Sequence, residues 1–405
     1  MTAPTATTAM TSMSNFDVTP LIHHPYRPPE GFTAPQAGVY KASTVIFPNV
    51  AAMRSRDWRK RSGYTYGLHG TPTTFLLEER LAALEGGEQC VLVPSGLAAI
   101  ALVNLAMLSA GDEVLLPDNV YGPNREMARS ELLRLGISHR LYDPLDAAGL
   151  AFMIGPATKL VWLEAAGSVT MEFPDLENLI AAAKARGVAT ALDNTWGAGI
   201  AFKPFELGVD IVMHALTKFP SGGGDVLMGS VTTRDATLHE RIKLTHMHLG
   251  LGVAANDAEL ILRSLPSIGL RYATHDATAR TLAAWLATRP EVARVLHPAF
   301  ESCPGHAHWK KLCGSAAGLF SVMLDPRYSQ AQVDAFCDAL ALFRLGYSWG
   351  GPISLVVPYE LASLRANGWP AHIARGTLVR FSTGLEAVAD LQADLAQALV
   401  RALPL

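Results

Sequence analysis

Between residues 75 and 235 the chain alternates apolar runs with helical patterns. The runs fall at 89–93, 113–116, 160–163, 188–192, 210–214 and 226–232. They are nearly continuous rather than alternating with polar residues, the signature of strands buried on both faces. Residues 176–185 carry a helical period and are stopped by Gly187. Strands of this kind separated by helices predict a mostly parallel central sheet covered on both sides. After about residue 260 the pattern changes. A helical stretch runs to Thr288, strands follow at 318–324 and 378–382, and an amphipathic helix closes the chain over 387–403. This predicts a smaller C-terminal α/β domain.

The remaining stretches read differently. Residues 1–14, rich in Thr, Ala and Met, predict a disordered tail; they lack the basic start of a secretory signal and the arginines of a transit peptide. Residues 15–65 hold many prolines and little periodicity, which predicts an extended arm able to wrap a partner subunit. The expected division is therefore 1–14 tail, 15–65 arm, 66–260 large domain and 261–405 C-terminal domain. The apolar segment from Cys90 to Leu108 approaches the length of a membrane span. Pro94-Ser95-Gly96 divides it into a strand, a turn and a buried helix instead.

Composition narrows the function classes. Apolar residues make up 49% of the 405 and charged residues 17%, which suits a large buried core. A net charge of −3 gives no electrostatic case for nucleic acid or a membrane surface. The four cysteines, Cys90, Cys303, Cys313 and Cys337, contain no Cys-x-x-Cys pair, so a reduced, cytoplasmic chain is expected. Cys303, His306, His308 and Cys313 lie close in sequence but lack the tight paired spacing of structural zinc sites, and no metal is expected. No Gly-x-Gly-x-x-Gly follows a strand, which argues against a nicotinamide dehydrogenase.

Chemistry concentrates at strand ends. The run at 210–214 leads into Thr217-Lys218, and Gly222-Gly223-Gly224 follows. An amine at the buried edge of a sheet loses water, which lowers its pKa and frees it to attack a carbonyl group. A solvated lysine at a strand end is the ordinary alternative. Asp193 ends the run at 188–192, where open α/β sheets bind ligands, although Asp before Asn also suits a turn. Pyridoxal phosphate needs both groups, a lysine for its aldehyde and an acid for its pyridine nitrogen. Ser95-Gly96-Leu97 lies between a strand and a helix, a place where N–H groups accommodate an anion. Arg380 stands in the apolar segment Leu378-Val379-Arg380-Phe381. It needs either an internal ion pair or a ligand carboxylate held by its planar fork.

Taken together, Asp193-Asn194-Thr195-Trp196 and Thr217-Lys218 resemble the trans-sulfuration (Cys/Met metabolism) family of pyridoxal-phosphate enzymes. Tyr66-Gly67-Leu68-His69-Gly70-Thr71-Pro72-Thr73, Leu84-Glu85-Gly86-Gly87, Pro94-Ser95-Gly96 and Thr377-Leu378-Val379-Arg380 follow in matching order. Tyr347-Ser348-Trp349-Gly350-Gly351 most resembles the cystathionine β-lyases of that family. The resemblance runs from about residue 37 to the C-terminus.

It implies a fold-type I pyridoxal-phosphate enzyme with Lys218 as the cofactor lysine and proton carrier. Asp193 would meet the ring nitrogen, and Ser95, Gly96, Leu97 and Thr217 the phosphate. It implies that Tyr121 stacks on the ring, that Tyr66 reaches a neighbouring subunit's site, and that Arg380, Ser348 and Trp349 bind the substrate carboxylate. The expected partners are a small sulfur amino acid and further copies of the chain, as a homodimer or homotetramer with shared sites. Two departures stand out. Leu68 occupies the position of a family arginine that binds phosphate, with His69 or Arg61 as possible substitutes. Ala215 occupies that of a family Ser or Thr. The implied reaction is β-cleavage of L-cystathionine to homocysteine, pyruvate and ammonia. The alternatives are the family's γ-chemistry (cystathionine γ-synthase, sulfhydrylase or methionine γ-lyase) and a catalytically silent member acting as a regulator.

Overall fold

The computed structural model describes residues 19–22, 30–31, 34–59, 63–365 and 368–404. The expected tail and Arg61 lie outside them. The large sheet contains β1 (Gln89–Val93), β2 (Glu113–Pro117), β3 (Ser138–Tyr142), β4 (Thr158–Glu164), β5 (Ala189–Asp193), β6 (Ile211–Ala215) and β7 (Gly229–Thr233), in the order β1-β7-β6-β5-β4-β2-β3. Neighbours from β6 through β3 are parallel, whereas β7 runs antiparallel to both β6 and β1. The two reversals cancel. Every strand except β7 therefore ends at the same edge of the sheet.

The continuous apolar runs have a direct structural cause. Val91 and Val93 of β1, Val114 and Leu116 of β2, and Leu160 and Trp162 of β4 pack in one core with Ile100 and Val103 of a helix, α2 (Gly96–Met107). The intervening Leu92, Leu115, Val161 and Leu163 pack in another, with Leu77 and Leu81 of α1 (Pro72–Glu85) and Leu179 of α3 (Leu176–Lys184). Successive strand residues face opposite sides, so covering both faces requires both sets to be apolar. Helix starts are fixed locally. Thr71 and Thr74 form a capping box with Pro72 in the first turn of α1, and Asp175 caps α3.

A second sheet follows, with β8 (Val292–Leu296), β9 (Leu319–Leu324), β10 (Arg344–Leu345), β11 (Leu355–Tyr359) and β12 (Leu378–Ser382) in the order β10-β11-β12-β9-β8. Its outer face packs on α4 (Ile268–Leu286) and α5 (Val388–Ala402) around Phe320, Phe336, Phe343 and Phe381. The strands expected at 318–324 and 378–382 lie where the pattern placed them.

Other strands were not legible. β3 is an edge strand whose Ser138 and Arg140 face solvent, so it carries no apolar run. β8 is likewise an edge strand with alternating exposure. Pro358 interrupts β11, but two-residue β10 pairs only with Leu355 and Val356, leaving Pro358 unpaired on that side. The run expected from residue 226 enters the sheet only at Gly229, although Val226 and Met228 are buried. The described part of the arm is mostly irregular and exposed. Its described residues hold two short helices, Thr19–Ile22 and Val50–Arg54, and a bridge between Thr44 and Tyr66.

One close approach ties the fold to the sheet edge. A Cβ on Gly96 would stand 2.6 Å from the Cβ of Ala215, so the start of α2 rests directly on the end of β6. Gly96→Ala is expected to cost about 1–3 kcal/mol of stability through overpacking. It should also weaken whatever binds at that turn, as thermal denaturation and a ligand titration would show.

Candidate active site

A cavity of about 490 Å³ opens at the edge where the strands end. Its walls bring together Ser95, Gly96 and Leu97 from the β1–α2 turn and Tyr121 from the loop after β2. Asp193 comes from β5, Thr217 and Lys218 from the turn after β6, Ser348 and Trp349 from the loop after β10, and Arg380 from β12. All but one of the residues singled out from sequence are therefore in a single pocket. The exception is Tyr66, which is half exposed, bridges to Thr44 and is absent from the cavity wall. Leu68 and His69 line a separate small hollow beside Lys243 and His246.

Lys218 is the centre of the site. Its amine lies 2.8 Å from Ser348 Oγ and 5.5 Å from the centroid of the Trp349 ring. Burial, aided by the charge of Arg380, pulls it down to about 8, with Asp193 acting in the opposite sense. The chain after β6 turns back through hydrogen bonds from Lys218 N to Ala215 O and from Gly222 N to Lys218 O. Gly350, at φ 75°, packs on the Lys218–Phe219 peptide, where an added Cβ would lie 3.0 Å from Phe219 N. The Trp349 and Phe219 rings meet edge to face at 5.7 Å. The second sheet's loop is thus fitted onto the lysine's backbone and its amine alike.

Two carboxyl groups share the floor. Asp193 Oδ1 accepts Thr195 N at 3.0 Å, and Glu164 Oε2 accepts Tyr121 N at 2.8 Å. They are register partners on β5 and β4, and burial pushes both upward, with like-charge repulsion from Asp193 adding to the push on Glu164. Glu164 went unnoticed in the sequence. The signal was available, because it stands at the carboxyl end of an apolar run as Asp193 does. Tyr347, the residue before Ser348-Trp349 in the motif, and Tyr359 also line the cavity; no site role was read for either, and Tyr359 as an isolated aromatic carried no distinguishing pattern.

Arg380 is buried, and its Nη1 donates to Ser168 O at 3.0 Å. The guanidinium lies 5.2 Å over the Tyr359 ring. Among the described residues no carboxylate pairs with it. The internal ion pair is therefore not the arrangement adopted, and most of the fork remains directed at the cavity.

At the other end, Ser95 caps α2 by accepting Ala98 N at 3.0 Å, which leaves its hydroxyl hydrogen free to donate. The N–H groups of Gly96 and Leu97 have no acceptor within the helix and lie at the cavity wall. Thr217 Oγ1 makes only long contacts to Met228, at 3.3 and 3.4 Å.

Residues 18–400 match the Cys/Met metabolism PLP-dependent enzymes. The chain belongs to this family. It is 44% identical over 368 residues, 90% of each chain, to a Rhizobium johnstonii protein provisionally titled a cystathionine beta-lyase. It is 40% identical to the cystathionine beta-lyase of Bordetella avium over 93% of this chain and 95% of that one. The crystal structure of metB from Corynebacterium glutamicum superposes with a TM-score of 0.86 at 28% identity, covering 95% of this chain and 97% of the other. The fold is accordingly the fold-type I arrangement expected from the sequence, and the family's cofactor is pyridoxal 5′-phosphate.

The cavity fits that cofactor. Free N–H donors and a hydroxyl stand at one end, an acid on the floor, a tyrosine at the wall and a lysine of lowered pKa beside them. Ala215, noted above as a departure from the family's Ser or Thr, supplies the contact surface for Gly96. Among the described residues no helix is long and apolar enough to cross a membrane, and no cluster is suited to a metal ion.

We propose that Lys218 is the lysine that captures the cofactor, a step that needs its neutral amine. With that group at about 8, the neutral fraction rises from about one tenth at pH 7 to about nine tenths at pH 9. The rate at which apoprotein takes up pyridoxal phosphate should climb across this interval and then level, as stopped-flow absorbance would record. Lys218→Ala should remove both the yellow colour and turnover.

Proposed function

We propose that the protein is a carbon–sulfur β-lyase that cleaves L-cystathionine to homocysteine, pyruvate and ammonia. The observation that carries this reading is Lys218, held by Ser348 beneath Trp349 within the same cavity as an unpaired, buried Arg380.

Pyridoxal phosphate, when bound, supplies an electron-accepting ring. Asp193 would hold its nitrogen protonated, Gly96, Leu97, Ser95 and Thr217 its phosphate, and Tyr121 one face. Arg380 takes the substrate α-carboxylate through its planar fork. That anchor turns the Cα–H bond toward Lys218, whose neutral amine removes the proton. Loss of the thiolate from Cβ then gives homocysteine. The three-carbon remainder leaves as 2-aminoacrylate, which tautomerises and takes up water to give pyruvate and ammonia. Placing the base and the carboxylate on fixed elements is worth several of the ~7–11 kcal/mol available from positioning in the best cases. Ser348 and Trp349 confine the amine to the Cα side. γ-Chemistry needs a second proton removed at Cβ, which this confinement disfavours.

We extend the reading to assembly and setting. Tyr66, half exposed and outside its own chain's cavity, supports a homodimer or homotetramer in which it completes a neighbouring site. The two separate sheets support a large domain over 66–260 and a C-terminal domain over 261–405. Four free, buried cysteines are consistent with a cytoplasmic enzyme.

Incubation with L-cystathionine should yield pyruvate far in excess of 2-oxobutyrate. Dominant 2-oxobutyrate and cysteine would replace the β-lyase reading with the γ-one. Mixed Tyr66→Ala and Lys218→Ala proteins, each inactive alone, should regain activity after subunit exchange. No recovery after confirmed exchange would reject the shared site.

A further inference from the structure

Behind the cavity wall lies a buried ion network with no part in the chemistry above. Glu172 is fully buried, and four side chains converge on its carboxylate. Asn119 Nδ2 donates to it at 2.9 Å and His372 Nε2 lies at 3.0 Å; Thr170 Oγ1 and a guanidinium nitrogen of Arg365 also contact it. Arg365 is buried too. Its other nitrogen meets Asp118, and it donates to Thr170 Oγ1 at 2.9 Å. Burial by itself would raise Glu172, but the hydrogen bond from His372 and the charge of Arg365 outweigh it and hold the carboxyl at about 2. Burial pushes Asp118 upward against the pull of the same arginine, so Glu172 is the settled negative partner.

The connections of this network lead into the site. Asp118 and Asn119 immediately precede Val120 and Tyr121 on the loop that lines the cavity. Gly167 N donates to Glu172 O at 2.9 Å, and the Asn119 amide fills the place where a Gly167 side chain would stand. Ser168 N reaches Asn119 O at 3.4 Å, and Ser168 O is the acceptor for Arg380 Nη1. Arg365 and His372 come from the segment between β11 and β12, so the network joins the strand that carries Arg380 to the loops of the large sheet.

We propose that the Glu172–Arg365 pair is a positioning unit for substrate binding: it fixes Asn119 and Ser168, and through the Ser168 carbonyl it aims the Arg380 fork at the substrate carboxylate. The inference rests on Arg380 being the carboxylate anchor.

The test uses holoenzyme and glycine, which has the carboxylate but no leaving group, so the result is independent of β- or γ-chemistry. Its dissociation constant is followed by the change in cofactor absorbance, with thermal denaturation and visible circular dichroism recorded alongside. Arg365→Met should weaken glycine binding roughly tenfold to a hundredfold, the scale of a misplaced anchor. Arg365→Lys keeps the charge but loses the fork, and should fall between. In an Arg380→Met background, Arg365→Met should cost nothing further, because the two act in series. Unchanged glycine affinity in folded Arg365 variants, or a full additional loss in the Arg380→Met background, would overturn the proposal. If Arg365→Met does not fold, Arg365→Lys carries the same test. Failure of the underlying reading is distinguishable: there, Arg380→Met itself would leave glycine affinity intact.

Discussion

Desolvation of the Lys218 amine is the constraint on which the site depends. An ammonium in water would neither capture an aldehyde nor accept a carbon-bound proton. Here burial brings it to about 8, while Ser348 gives the amine one hydrogen-bonding partner and Trp349 covers it with an aromatic face. None of these contacts comes from the sheet that carries the lysine. The large sheet supplies the edge, and the loop after β10 closes it. Gly350 makes the closure possible, because a side chain there would strike the Lys218–Phe219 peptide.

The charges around that amine are arranged with similar economy. Asp193 and Glu164 end neighbouring parallel strands, too close for both to ionise readily in a dry site. Lys218 and Arg380 are the cations at the cavity wall, and Arg380 is satisfied by a carbonyl and an aromatic face rather than by a carboxylate. A site with an uncommitted guanidinium and a poorly solvated amine is prepared for a ligand that brings its own negative charge.

How much of this was legible follows from the kind of signal each part gives. The doubly covered strands were visible because burial on both faces forces a continuous apolar run, and β1, β2, β4, β5 and β6 all show it. Lys218, Asp193 and Ser95, which line one cavity, were visible because such a sheet opens its cavity at the strand ends. Edge strands β3 and β8 have one wet side and no run, and Pro358 masked β11. Glu164 was overlooked at a position of the same type as Asp193. Arg365 and Glu172 could not have been paired by eye, since nothing in their local sequence shows that distant loops converge. Tyr66 remains the residue whose place one chain alone does not explain.

The reversed strand β7 has a consequence for the order of assembly. β1 has no neighbour in the sheet except β7, with Gln89 opposite Thr233. The cavity-lining turn at Ser95 and Gly96 hangs from β1, yet β1 cannot join the sheet until the chain has passed through Lys218 and returned as β7. Closing so long a loop delays this step relative to pairing of the strands between. The nascent protein therefore completes β6 and its lysine turn before the turn at Ser95 and Gly96 is anchored. A chain that stops short of Gly229 would leave that side of the cavity without a foundation.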